Sequence, residues 1–272
     1  SSGRWAEASG GLRFPPLWET SAEQPNRSMT SGLREHEDEK GQVKIGSLFP
    51  LGIGEKVMIT AGAFADQVGS FESLRADGKI SILLEEMKVP YKVIPININK
   101  EEQFSSKFTL ISPSNKIPAI VDTENKLNIF ETGAIMLYLA KKYNKFLPEN
   151  HYWEVMKWFF YQISQVGPYL GQAHQFLHYH AGKSKFAEHK YKDYVNRVYK
   201  TLNQRLSKNK YLGNEYSIAD IATWPWIARF EIHKVKIKKY PNVVKWYELI
   251  SKRSAVIKGY SVINKNIKIP LI

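Results

Sequence analysis

The 272-residue chain contains no cysteine. Disulfide scaffolds, thiolate zinc sites and a protein thiol acting as nucleophile or resolving group are therefore excluded. Any thiol chemistry has to take its sulfur from a substrate. Long apolar runs are missing as well: none approaches the roughly 18 residues a membrane-spanning helix needs, and the run at 80–84 is closed at once by Glu85 and Glu86. The N-terminal stretch has no apolar h-region, so no secretory signal is expected, and the cytoplasm is the expected compartment. Acids are in short supply, 26 against 39 Lys and Arg, which leaves a formal charge of +13. That excess suits either contact with nucleic-acid phosphates, through counterion release, or solvated helix faces of the kind expected at 183–210 and 234–245.

What is present is apolar and aromatic: 43% hydrophobic residues, with seven Trp and fifteen Tyr, enough for a large core in two or three packed units. Residues 1–42 mix Gly, Pro, Ser and charge without periodicity and read as a tail or linker. From 43 to 77 the texture is period-two alternation, as in Val57-Met58-Ile59-Thr60, punctuated by Gly62, Gly69 and an Asp77-Gly78 turn signal, which predicts a small antiparallel β-barrel. Ile80, Leu83, Leu84 and Met87 then form a helical stripe ended by Pro90, although Ile80, Ile82 and Leu84 also alternate as a strand. The downstream pattern favours the helix. Strands follow at 91–98, at 119–121 and up to Ile129-Phe130, and a helix starts at Glu131 with Ile135, Leu139 and Tyr143 on one stripe. Residues 78–147 thus form an α/β unit, and 148–272 form an all-helical one. In the latter, Trp153, Met156, Phe160 and Ile163 are spaced for burial, Ser217 to Asp220 reads as a capping box, and Trp224 and Trp226 are expected in the core.

Two short motifs carry chemistry. Pro118 stands at the mouth of a strand, where it cannot donate to the ladder, and a cis bond there turns the Ile117 backbone outward. Glu131-Thr132 at a helix N-terminus sets a carboxylate beside a hydroxyl and free amides, a receptor for a group bearing both ammonium and carboxylate. His174, His178 and His180 have partial metal-ligand spacing but no carboxylate to match, so no metal is expected and they are read as lining a cleft or facing water.

The string Ile111-Ser112-Pro113-Ser114-Asn115-Lys116-Ile117-Pro118-Ala119, then Phe130-Glu131-Thr132-Gly133, Gly167-Pro168-Tyr169-Leu170-Gly171-Gln172, Tyr216-Ser217-Ile218-Ala219-Asp220 and Trp224-Pro225-Trp226 resemble the Nu-class glutathione transferases from about residue 78 to the end. The resemblance implies a thioredoxin-like α/β half followed by an all-α half. It further implies glutathione as co-substrate, a small disulfide or electrophile as acceptor, and a homodimer. The implied glutathione-binding residues are Gln103, Ile117, Pro118, Glu131, Thr132 and Lys190. No catalytic residue carries over, because the Thr-Pro-Asn-Gly turn that faces the sulfur in that class is replaced here by Leu74-Arg75-Ala76-Asp77-Gly78. Upstream, Gly54-Glu55-Lys56-Val57 through Gly62 to Gly69 and on to Lys79-Ile80 is similar to a KOW motif of NusG-type factors, with the resemblance covering about 34–84. It implies a nucleic-acid or transcription or translation partner, and offers an alternative reading of the whole as a transferase-fold binding module with weakened catalysis. If the segment also serves the sheet, 67–73 is the expected substitute for the missing first strand.

Overall fold

A computed structural model of the chain describes residues 57–61, 78–262 and 264–272, all within one compact unit, Leu51–Ile272. Among the described residues the sheet has four strands: β1 (Val57–Ala61), β2 (Tyr91–Pro95), β3 (Ala119–Asp122) and β4 (Leu127–Phe130), in the order β2-β1-β3-β4. β1 runs parallel to β2, with Val57 opposite Tyr91, and antiparallel to β3, with Val57 opposite Asp122. β3 and β4 form a hairpin in which Ala119 faces Phe130.

The alternation at 57–60 does become a strand, but an interior one of a mixed sheet rather than part of an antiparallel barrel. Its side-by-side neighbours are drawn from 91–95 and 119–122, far along the chain. The 67–73 stretch expected to fill that place lies outside the described residues, as does the rest of the KOW-like segment up to Asp77, and the interior position belongs to Val57–Ala61. Parallel neighbours need a crossover, and helices supply most of them. Here the crossover carries α1 (Lys79–Met87), which settles the competing patterns at 80–84 in favour of helix. Ile80, Ile82, Leu83, Leu84 and Met87 are all buried, and the helix stops at Lys88 in the left-handed region (φ 58°), two residues before Pro90.

A one-turn helix α2 (Ser106–Thr109) and α3 (Thr132–Tyr143) complete the α/β half. The other half is helical: α4 (Tyr152–Tyr161), α5 (Gly167–His174), α6 (Lys185–Leu206), α7 (Ile218–Ile227), α8 (Pro241–Ser251) and α9 (Ser254–Tyr260), with π-helical turns at Gln162–Val166 and Gln175–Tyr179. α7 and α9 pack against α1. The α9 crossing is so close that a Cβ on Gly259 would stand 2.6 Å from the Ile82 backbone, which is why glycine occupies that position. No described helix is long and apolar enough to cross a membrane.

The stripe expected in α4 is rotated. Met156 is buried, but Trp153, Phe160 and Ile163 are 76%, 57% and 37% exposed, and the face turned inward is Val155, Met156 and Phe159, continued by Val166. Apolar and aromatic residues occur nearly all round α4, so more than one stripe fits a 3.6 period there, and the π turn at Gln162–Val166 shifts the period only for Ile163. Trp224 and Trp226 are core residues as expected. So is the whole of α7, whose base is organised by Asp220. This fully buried carboxylate accepts hydrogen bonds from Ser217 N (3.2 Å), Ser217 Oγ (3.2 Å), Leu212 N (2.9 Å) and Trp246 Nε1 (2.8 Å). Burial pushes its pKa up to about 6 against the pull of those four donors. His174 does not face water: it is buried, its Nε2 lies 2.9 Å from His233 Nε2, and His233 Nδ1 lies 2.9 Å from the Tyr199 hydroxyl. Desolvation holds His233 well below its ordinary pKa.

Candidate functional site

β1 and β2 stop together, Ala61 opposite Pro95, at the end of the sheet where β3 begins and β4 finishes. In open α/β sheets this end, outside the carboxyl termini of the parallel strands, is where ligands are held. Five of the six residues implied as glutathione contacts gather there. Gln103 lies in a 3-10 turn (Glu102–Phe104) tied back to the end of β2, since Asn97 N donates to Glu102 Oε2 at 2.6 Å. Its Oε1 is buried and has no hydrogen-bond partner among the described residues. Ile117 and Pro118 immediately precede β3 and are joined by a cis peptide bond. The loop leading to them is braced by Ser112, whose hydroxyl donates to Lys116 O at 2.7 Å, and by Thr109, whose hydroxyl donates to Asn115 Oδ1 at 2.7 Å.

Glu131 and Thr132 follow β4 directly. Glu131 is exposed, makes no side-chain cap to α3, and holds φ at 68°. A non-glycine residue in that region costs on the order of 1–3 kcal/mol and persists only where its surroundings impose it. Here the β3–β4 register fixes one side and α3 the other. α3 is in turn anchored to β3 through buried Asp122, which accepts from Tyr138 Oη (2.5 Å), Lys142 Nζ (2.5 Å) and Glu124 N (3.0 Å). Burial alone would raise the Asp122 carboxyl, but the bonds from Lys142 and Tyr138 outweigh it and hold the group below the usual carboxylate range. The outcome is a carboxylate, a hydroxyl and first-turn amides of α3 presented together and uncommitted, next to the free backbone of the Ile117–Pro118 bend.

Lys190 is not brought to this end by any observed contact. It sits on α6 with its ammonium 5.7 Å from the Phe186 ring, and it forms no ion pair among the described residues. The replaced turn residues 74–77 lie outside the described residues. Two packing features escaped the sequence reading. Ile163, from the π turn after α4, presses onto the first turn of α3 so closely that a Cβ on Gly133 would stand 2.6 Å from its Cδ1. Lys79, the first residue of α1, is buried with its ammonium 4.8 Å from the Trp226 ring. A lysine ahead of Ile80, Ile82, Leu83 and Leu84, with Ser81 the one other polar residue of that stretch, was the available signal. No cluster of His, Asp or Glu among the described residues could hold a metal ion.

Residues 71–141 match the family Glutathione S-transferase, N-terminal domain, and residues 164–254 match Glutathione S-transferase, C-terminal domain. The disulfide-bond oxidoreductase YfcG of Escherichia coli is 40% identical over 185 residues, covering 65% of this chain and 86% of the relative. The disulfide-bond oxidoreductase YghU of the same organism is 33% identical over 207 residues, covering 69% and 72%. Among solved structures, a glutathione transferase from Pseudomonas putida with one glutathione disulfide bound per subunit superposes with a TM-score of 0.70 at 28% identity, over 80% of this chain and 96% of that one. Two domains in the expected order, a thioredoxin-like sheet with Pro118 at the carboxyl end of its parallel strands, and this degree of identity place the chain in the glutathione S-transferase family.

Proposed function

We propose that the chain is a glutathione-dependent enzyme, a transferase or disulfide reductase, that acts on a small disulfide or electrophile. The observation that carries this reading is the juxtaposition of the cis Ile117–Pro118 bend with the uncommitted Glu131–Thr132 pair at one end of the sheet. Glutathione supplies the thiol that this cysteine-free chain lacks. Glu131 accepts from its α-ammonium, and Thr132 with the first α3 amides holds the neighbouring carboxylate. The backbone of Ile117 pairs with the cysteinyl segment, and Gln103, whose Oε1 has no protein partner, takes a further donor of the peptide. Lys190 contributes at most a point charge from α6. Ile163 narrows the site from the helical side and limits water at the sulfur. The names of YfcG and YghU support disulfide reduction over other glutathione chemistry, and the motif order supports the Nu class. Phe104, 61% exposed beside Gln103, suits the anchor of a homodimer.

The test is turnover of glutathione with a small disulfide, together with retention on immobilised glutathione. Retention and turnover are expected. A folded chain that does neither would refute the reading. Replacing Arg75-Ala76-Asp77 by Thr-Pro-Asn ahead of Gly78 restores the class's sulfur-facing turn and is expected to raise turnover by about 100 to 1,000-fold, since one positioned donor at a developing anion is worth about 2.7–4 kcal/mol. Light scattering is expected to give a dimer.

A further inference from the structure

Two stretches of the helical half contain no acid. Residues 194–214 hold Arg197, Lys200, Arg205, Lys208 and Lys210, and residues 232–247 hold Lys234, Lys236, Lys238, Lys239 and Lys245. The fold lays one along the other. Asn242 N donates to Asn203 Oδ1 at 2.9 Å, Asn242 Nδ2 donates to Asn203 O at 3.2 Å, and the Tyr240 hydroxyl donates to Asn196 Oδ1 at 3.4 Å. Asn196 has Lys192 one turn before it and Lys200 one turn after it on α6. Lys192 and Lys200 therefore flank the point where Tyr240 touches down, while Lys238 and Lys239 arrive with Tyr240 itself and Lys236 and Lys245 extend the row. All six lysines are exposed, and none forms an ion pair among the described residues. Of the acids nearby, Glu188 accepts from the Gly182 amide, exposed Asp193 lies 3.5 Å from His189, a counter-charge only when that imidazole is protonated, and exposed Glu231 and Glu248 bound the second stretch. Arg205, by contrast, is committed to Glu154 and to the Leu212 carbonyl.

Six exposed ammonium groups that form no ion pair among the described residues outnumber the three exposed acids beside them, so net positive charge is available to a polyanion. The row on α6 from Lys192 to Lys200 spans about 12 Å, at 1.5 Å per residue. Half-exposed Tyr240 stands among the lysines with its inner side against Tyr199, ring centroids 5.4 Å apart, and a cationic track beside the exposed side of an aromatic ring is an arrangement that holds unpaired nucleotides, phosphates on the cations and a base on the ring. We propose that this ridge, formed by α6 and the approach to α8, binds single-stranded nucleic acid through its phosphate backbone, without sequence preference. The ridge uses none of the residues at the sheet end, and it is α7 and α9, not α6, that pack against α1.

The experiment is fluorescence anisotropy of the full chain with a 5′-fluorescein-labelled, mixed-sequence 15-nucleotide RNA between 50 and 200 mM salt. Binding is expected to weaken with salt with a log–log slope of about −3, from roughly 0.7 per neutralised phosphate and four engaged lysines. The pair Lys238→Glu and Lys239→Glu is expected to weaken binding at least about tenfold and flatten that slope. The pair Lys100→Glu and Lys107→Glu changes net charge equally on the α/β half, and less than about a threefold loss is expected from it. Retention on immobilised glutathione reports that each variant is folded. Equal losses from both pairs would reduce the effect to net charge and overturn the proposal. Absence of salt-dependent binding would overturn it too, and so would a duplex of the same length bound as tightly as the single strand.

Discussion

The sheet end and the base of α7 treat polar groups in opposite ways. At the base of α7, Asp220 is fully buried and surrounded by four donors, so every lone pair it offers is used inside the protein. At the sheet end, Glu131 is exposed at a positive φ with no cap, and Gln103 Oε1 is buried without a partner. Both are carboxylate or amide oxygens next to a helix start. The difference is whether the fold itself consumes the acceptor or leaves it unpaired, and it assigns Asp220 to stability while Glu131 remains free for the ligand proposed above.

Removing each acid should therefore break a different property. Asp220→Ala leaves Leu212 N, Ser217 N and Trp246 Nε1 buried without an acceptor, and a loss of about 3–5 kcal/mol in unfolding free energy is expected by urea titration. A loss below about 1 kcal/mol would dissolve the contrast. Glu131→Ala should leave stability unchanged or slightly improved while glutathione affinity falls about tenfold or more by calorimetry, since a charge-assisted contact is worth roughly 1.5–3 kcal/mol. A fall in stability with affinity intact would reverse the assignment of the two acids.

The subtlest test concerns pH. Because the folded pKa of Asp220 is raised to about 6 from an ordinary 3.8, the folded state holds this proton more tightly than the unfolded one. The associated stability is fully present below about pH 4 and is lost as the pH rises through about 6. Wild type should thus gain on Asp220→Asn as pH falls across that window, read as the difference between their unfolding free energies. A flat difference from pH 4 to 7 would show that the four donors cancel the burial.

Much of this contrast is written locally in the chain. The capping pattern from Ser217 to Asp220, the Pro118 bend and the Glu131–Thr132 pair are each defined within a few residues, and α1 follows from one apolar stripe. What is not local was not legible. Alternation at Val57–Thr60 announces a strand but not its neighbours, and those are supplied from 91–95 and 119–122 by the sheet. The inward face of α4 was misread because that helix is apolar nearly all round, so Trp153 and Phe160 fit a stripe as well as Val155 and Phe159 do, and because Ile163 has a use outside the core, against Gly133. His174 looked like a surface residue since its partner, His233, lies 59 positions away.

β1 adds a different consequence. The family match begins at residue 71, yet the strand that joins both sides of the sheet lies before it, at Val57–Ala61. That strand is gripped by a parallel ladder on one edge and an antiparallel ladder on the other, five register pairs with β2 and three with β3. It is the sole link between the two sides of the described sheet: without it β2 has no strand partner and β3 keeps only β4, so the end at which Pro118 and Glu131 meet depends on a strand that precedes the family match.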